Sequence, residues 1–234
     1  MKRKQYFLLG AATVVFLLAA LSMLLEKKTF FTSGNTGVAE GICVVLDAGH
    51  GGDDPGKIGI NGALEKDLNL EIAKLVKKYL EADDIRVVMT RESDAGLYDA
   101  TASNKKVQDM KRRIALIEEA DPVVTLSIHQ NSYPEEYVHG AQVFYYSGSK
   151  EGQKLAEKIQ ARLIAGVDPE NNRQIKANDS YYLLKKTQTP IVIVECGFLS
   201  NREEAEKLST AEYQQKLAWQ IHLGILQYLS DTDK

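Results

Sequence analysis

Three short runs of aliphatic and β-branched residues constrain this chain most: Ile42–Asp47 (ICVVLD), Val123–His129 (VVTLSIH) and Ile191–Glu195 (IVIVE). A strand with one wet face alternates apolar and polar residues. Nearly continuous runs read instead as strands covered on both faces, the condition of a parallel sheet in an α/β fold. Helical periods separate them. Leu68, Ile72, Leu75, Val76 and Tyr79 predict a helix over about 66–82. Val107, Met110, Ile114 and Ile117 mark a second, and a third falls near 151–164. Ile85–Thr90 and Ala141–Tyr146 add two strands. Ser209 and Glu212 stand at capping-box spacing before a closing helix that stacks Leu217, Ile221 and Tyr228 on one face. The expected fold is a single α/β domain, a mostly parallel twisted sheet flanked by helices on both faces, with an N-terminal hydrophobic helix ahead of it.

That N-terminal element is Phe7 to Leu25, a stretch without a charge between Lys-Arg-Lys and Glu-Lys-Lys. As a helix it would span roughly 28 Å, close to the thickness of a bilayer's hydrocarbon core. No small-x-small cleavage site follows, since Leu21, Met23, Leu24 and Leu25 fill the junction. Residues 1–28 therefore read as a signal anchor, with a cleaved signal peptide as the alternative. Residues 29–41 read as a linker, and 42–231 as the working domain, placed outside the cytoplasmic membrane. The whole chain carries a net −3 although its first 28 residues are basic, so the domain is acidic and has no general electrostatic reason to bind nucleic acid. Cys43 and Cys196 lie inside apolar runs and read as buried free thiols, with a disulfide as the alternative.

The buried runs end in residues able to bind a metal or move a proton. Ile42–Asp47 leads into Asp47-Ala48-Gly49-His50-Gly51-Gly52, Val123–Ile128 ends at His129, and Ile191–Val194 ends at Glu195. In open α/β sheets the functional crevice lies beyond the carboxyl ends of the strands, so His50, His129 and Glu195 are expected at one edge. Glu65 opens the first helix and points back toward that edge. Two imidazoles and one carboxylate form a ligand set of catalytic zinc (Zn2+), leaving a fourth position for water. A second carboxylate would then serve as general base and acid.

These residues carry a family resemblance. VVLDAGHGGDDPG, Glu65 within NGALEKD, SIHQN and VECGFLSN, in that order, resemble the zinc-dependent N-acetylmuramoyl-L-alanine amidases of the Amidase_3 family. The resemblance covers about residues 42–229. It implies His50, Glu65 and His129 as zinc ligands, Glu195 as the catalytic carboxylate, and hydrolysis of the amide between N-acetylmuramic acid and L-alanine in peptidoglycan. The short chain, together with MTRESD, GAQVFYY and EYQQKLAWQIHLGILQYL, is similar to the germination-specific amidases of spore formers. That implies removal of stem peptides in spore cortex, in the space between the membranes around the forespore, before a muramic acid deacetylase forms the δ-lactam. Two positions depart from the family pattern. Gln130 stands where a smaller residue is common, so a changed pocket rim is expected. Cys196 follows Glu195 where an aliphatic residue or Thr is usual, and strand alternation points it away from the metal.

Rival readings remain at this stage. One is a catalytically weak or partner-activated wall-binding module, and another a zinc endopeptidase cutting within the stem peptide. A HExxH helix is absent from the sequence. Gly51-x4-Gly56-Lys57 nearly satisfies a P-loop, but Ile58 replaces the hydroxyl residue and Asp53 and Asp54 would repel phosphate. His139 reads as solvated and His222 as structural. The run Lys111-Arg112-Arg113 reads as a solvated helix face, the alternative being that Arg112 or Arg113 buttresses the site through a carboxylate.

Overall fold

A computed structural model describes residues 41–232; the uncharged stretch and all of the linker except Gly41 lie outside the described residues. Among the described residues no helix is long and apolar enough to cross a membrane. The strands are β1 (Cys43–Ala48), β2 (Arg86–Met89), β3 (Val124–Asn131), β4 (Gln142–Tyr145), β5 (Lys176–Ala177) and β6 (Ile191–Phe198). The helices are α1 (Glu65–Ala82), α2 (Lys105–Ala120), α3 (Lys150–Gly166), α4 (Tyr182–Lys186), α5 (Arg202–Leu208) and α6 (Ala211–Thr232).

The strands form one sheet in the order β2-β1-β3-β6-β4-β5. β2, β1, β3 and β6 run parallel to one another, as do β4 and β5. The β4–β6 pair is antiparallel, which makes the sheet mixed. Alternation along the strands builds two apolar layers. Val44, Leu46, Leu126 and Val194 face α1, α3 and α6 through Ile72, Ile159 and Ile221. Val45, Ile191 and Ile193 face α2 and α4 through Ile117 and Leu184. Both faces are thus covered, as the continuous apolar runs require.

The winding fixes where a site can form. From β1 the chain passes along α1 on one face to β2, then returns along α2 on the other face to β3, on the far side of β1. This reversal opens a crevice between the carboxyl ends of β1 and β3. Local signals support the winding: Asn104 caps α2 by accepting from Val107 N, and Ser149 caps α3 by accepting from Gly152 N. Each such cap is worth about 1 kcal/mol.

Two details differ from the sequence expectations. The last strand continues past Glu195 to Phe198, with a register shift opposite His129 and Asn131 that spends an extra residue on β6. The closing helix is capped by Thr210, whose Oγ1 accepts from Tyr213 N. Ser209 instead ends α5 and donates to Ala205 O, because the closing helix begins at Ala211 and so puts Thr210 at its cap position. Cys43 and Cys196 are buried and free.

Candidate metal centre and active site

The crevice holds the residues the sequence singled out. His50 lies just beyond β1, His129 lies within β3, and Glu65 is the first residue of α1. One donor atom from each falls within 4.8 Å of the other two. Glu65 Oε1 sits between the imidazoles, 3.2 Å from His50 Nε2 and 3.0 Å from His129 Nδ1. The rings meet edge-on, with centroids 5.0 Å apart. Glu65 is buried, which alone would raise its carboxyl; hydrogen bonds and charge from both histidines outweigh burial and hold it far below the usual range. Gln130 N and Lys57 N also donate to Glu65, at 3.1 and 2.8 Å. A buried carboxylate facing two imidazole nitrogens, with its other lone pairs engaged, is the donor chemistry of a His₂Glu metal site.

Two glycines make room for this arrangement. A β-carbon on Gly49 would overlap the His129 ring. One on Gly56 would lie 2.5 Å from Glu65 Oε2 and 2.7 Å from His50 Cδ2.

Glu195 reaches the same crevice from β6, in register with His129. It is only 6% exposed, and its Oε2 atom has no hydrogen-bond partner. Burial pushes this carboxyl up to about 7, and the Glu65 charge adds to the rise against opposing pulls from His129, His50 and Tyr181. The Tyr181 hydroxyl, half-buried beside Glu195, is pushed up to about 12, chiefly by burial. In front of these groups opens a cleft of about 390 Å³, walled by Tyr98, Met110, Tyr181, Leu183 and Ile193. Cys196 points into the opposite apolar layer, as alternation predicts.

Behind the donors stands a polar lattice that the sequence disclosed only in part. Arg113 is buried, not solvated. It pairs with Asp47 and Asp109, each at 2.6 Å, and donates to the backbone oxygens of Ala48 and His50. The solvated-face reading fails there because α2 turns that residue toward the end of β1; Arg112 keeps to the surface, on Asp99. Burial would raise the Asp47 carboxyl, but Arg113, Ser127 and Thr90 lower it to about 2. Arg91, the third residue of MTRESD, went unnoticed in the sequence: it donates to Ala48 O, Gly49 O and Lys66 O. Asn69, also unnoticed, lies one turn past Glu65 and donates to Gly49 O. The changed pocket rim expected of Gln130 is not observed. Its side chain turns to the α1 side, where Nε2 donates to Asn69 Oδ1, because it alternates with His129 along β3. His139 is exposed, and His222 is buried against Asp83.

The sequence and fold match known proteins. The model of Amidase_3, described as N-acetylmuramoyl-L-alanine amidase, matches residues 44–227. The chain belongs to the Amidase_3 family. It is 38% identical over 194 residues to the germination-specific N-acetylmuramoyl-L-alanine amidase of Bacillus subtilis, covering 82% of this chain and 81% of that protein. The CwlD amidase of Clostridioides difficile, solved in complex with the GerS lipoprotein, superposes with a TM-score of 0.79 at 38% identity, covering 81% of this chain and 99% of that one. The amidase AmiC2 of Nostoc punctiforme superposes at 0.70 with 34% identity, covering 81% and 97%. The Amidase_3 match begins at Val44 and ends on α6, so it contains every residue of the crevice. These relatives make the chain an N-acetylmuramoyl-L-alanine amidase.

Proposed function

We propose that the protein is a zinc amidase that removes stem peptides from peptidoglycan in spore cortex, ahead of muramic-δ-lactam formation by a deacetylase. Residues 42–231 are its catalytic domain, and residues 1–28 hold it at the outer face of a membrane, in a sporulating cell the space around the forespore. The observation that carries the catalytic reading is Glu195, a buried carboxyl with an uncommitted oxygen beside the His50–Glu65–His129 triad. His50, Glu65 and His129 hold the metal. Bound zinc supplies Lewis acidity, acidifying a water and polarising the amide carbonyl. Glu195 accepts the proton of the attacking water and delivers it to the departing alanine nitrogen. A proton affinity near neutrality suits both transfers. Tyr181 keeps Glu195 turned toward the cleft, and the apolar wall of Met110, Leu183 and Ile193 excludes bulk water.

The spore-cortex assignment rests on similarity to the germination-specific amidase and to CwlD. CwlD was solved in complex with the GerS lipoprotein, which supports a protein partner for this chain. The test is digestion of purified peptidoglycan by the full chain, with and without zinc, read by mass spectrometry. Zinc-dependent release of stem peptides with a free L-alanine amino terminus is expected. Fragments that leave L-alanine on muramic acid would make the protein an endopeptidase. No release even with a lipoprotein partner present would make it a binding module.

A further inference from the structure

We propose that Arg113 is a positioning residue for the metal ligand His50, holding its backbone in the left-handed conformation that aims the imidazole at Glu65. The inference rests on the proposed His50–Glu65–His129 metal site and adds to it the residue that assembles one of its arms.

His50 has φ +62°, a conformation that is strained for a residue with a β-carbon and persists only where the surroundings impose it. The sheet does not impose it, because β1 ends at Ala48. The next carbonyls have left the ladder and need other donors. Side chains supply them all. Ala48 O accepts from Arg113 Nη1 at 2.8 Å and Arg91 Nε at 2.9 Å. Gly49 O accepts from Arg91 Nη2 at 3.0 Å and Asn69 Nδ2 at 3.1 Å. His50 O accepts from Arg113 Nη2 at 2.6 Å.

The guanidinium therefore does two separable things. Nη1 neutralises Asp47 at 2.6 Å, and Nε is anchored on Asp109 at 2.6 Å. Nη2 is committed to the His50 carbonyl. Neutralising Asp47 needs only a positive charge, which a lysine could supply. Bridging Ala48 O and His50 O while anchored on Asp109 needs a planar fork, which a lysine lacks. Releasing His50 O lets the residue relax toward the ordinary φ region, which swings the imidazole off Glu65.

The two roles part in two variants of the full chain, compared by zinc affinity in competition with a chelating dye and by denaturant midpoint of the metal-free protein. Arg113→Lys keeps the charge beside Asp47 and loses the fork, so zinc affinity is expected to fall about 10- to 100-fold with most of the stability retained. Asp47→Asn loses the ion pair and keeps the bond to His50, so the midpoint is expected to fall with zinc affinity near that of the parent. Arg113→Lys binding zinc as tightly as the parent overturns the proposal, as does affinity that falls in step with stability in both variants. Should Arg113→Lys fail to fold, Asp109→Ala, which removes the acceptor of Nε while leaving the Asp47 pair, takes its place with a smaller loss of zinc affinity expected and the same overturning results. A parent protein that binds no zinc removes the metal site itself, and this inference with it.

Discussion

His129 and His50 deliver imidazoles to the same carboxylate from unlike backbones. His129 lies inside β3, where pairing with Glu195 on β6 fixes its backbone and strand alternation selects its face. His50 lies two residues past the end of β1, at positive φ, between two glycines. Its carbonyl is held by Arg113, and its Nδ1 lies 2.9 Å from Asp54 Oδ2. A donor on a strand acquires its geometry with the sheet. A donor on a loop needs a dedicated set of partners, and here those partners come from α2 and the loop itself.

The largest effect expected lies on the strand side. Glu195→Gln preserves shape and ladder, and should cut kcat about 10²- to 10⁴-fold while zinc binding stays unchanged. Turnover at the parent's rate would remove Glu195 from the chemistry. On the loop side, Asp54→Asn weakens the acceptor that orients the His50 ring, and zinc affinity should fall about 10- to 100-fold in a dye competition. Unchanged affinity would mean that the loop holds His50 without its side-chain partner.

Acid unfolding probes the lattice under that loop. The Asp47 carboxyl titrates at about 2 in the fold, below its usual unfolded value near 3.9. Its contribution, about 2 kcal/mol, is fully present above pH ~4 and lost as pH falls toward 2. Denaturant midpoints measured across that range should fall in the parent and stay flatter in Asp47→Asn. The smallest effect belongs to Cys196, which faces the opposite layer. Cys196→Ala should cost about 1 kcal/mol in a denaturant melt and leave turnover alone; a loss of zinc binding would break the separation of the two faces.

This contrast also explains what the sequence disclosed. ICVVLD, VVTLSIH and IVIVE announce strands buried on both faces, and from them follow the sheet, its working edge and the meeting of His50, His129 and Glu195. Strand direction carries no such mark, so the antiparallel seating of β4 on β6 was not legible in GAQVFYY. A basic run on a helix looks the same whether or not one member turns inward, so the sequence offered a buttress through a carboxylate only as an alternative and left Arg112 and Arg113 undecided; the fold selects Arg113. Arg91 lacked any periodic context, although a charged residue directly after a strand is a signal that could have drawn notice. Asn69 could have been found by its spacing from Glu65, one helical turn along the same face. Tyr181 carries no local pattern, since only the tertiary fold brings it to Glu195.

Gly49 and Gly56 bear on how such a centre can change over generations. At either position the first atom any side chain adds collides with a donor group: the His129 ring at Gly49, Glu65 and His50 at Gly56. The triad is therefore walled by main chain on these two sides, and single substitutions there cannot narrow it by small increments. Half-buried wall residues such as Tyr98 and Met110 meet no such barrier, so divergence in substrate range should accumulate at the cleft wall while the floor stays fixed.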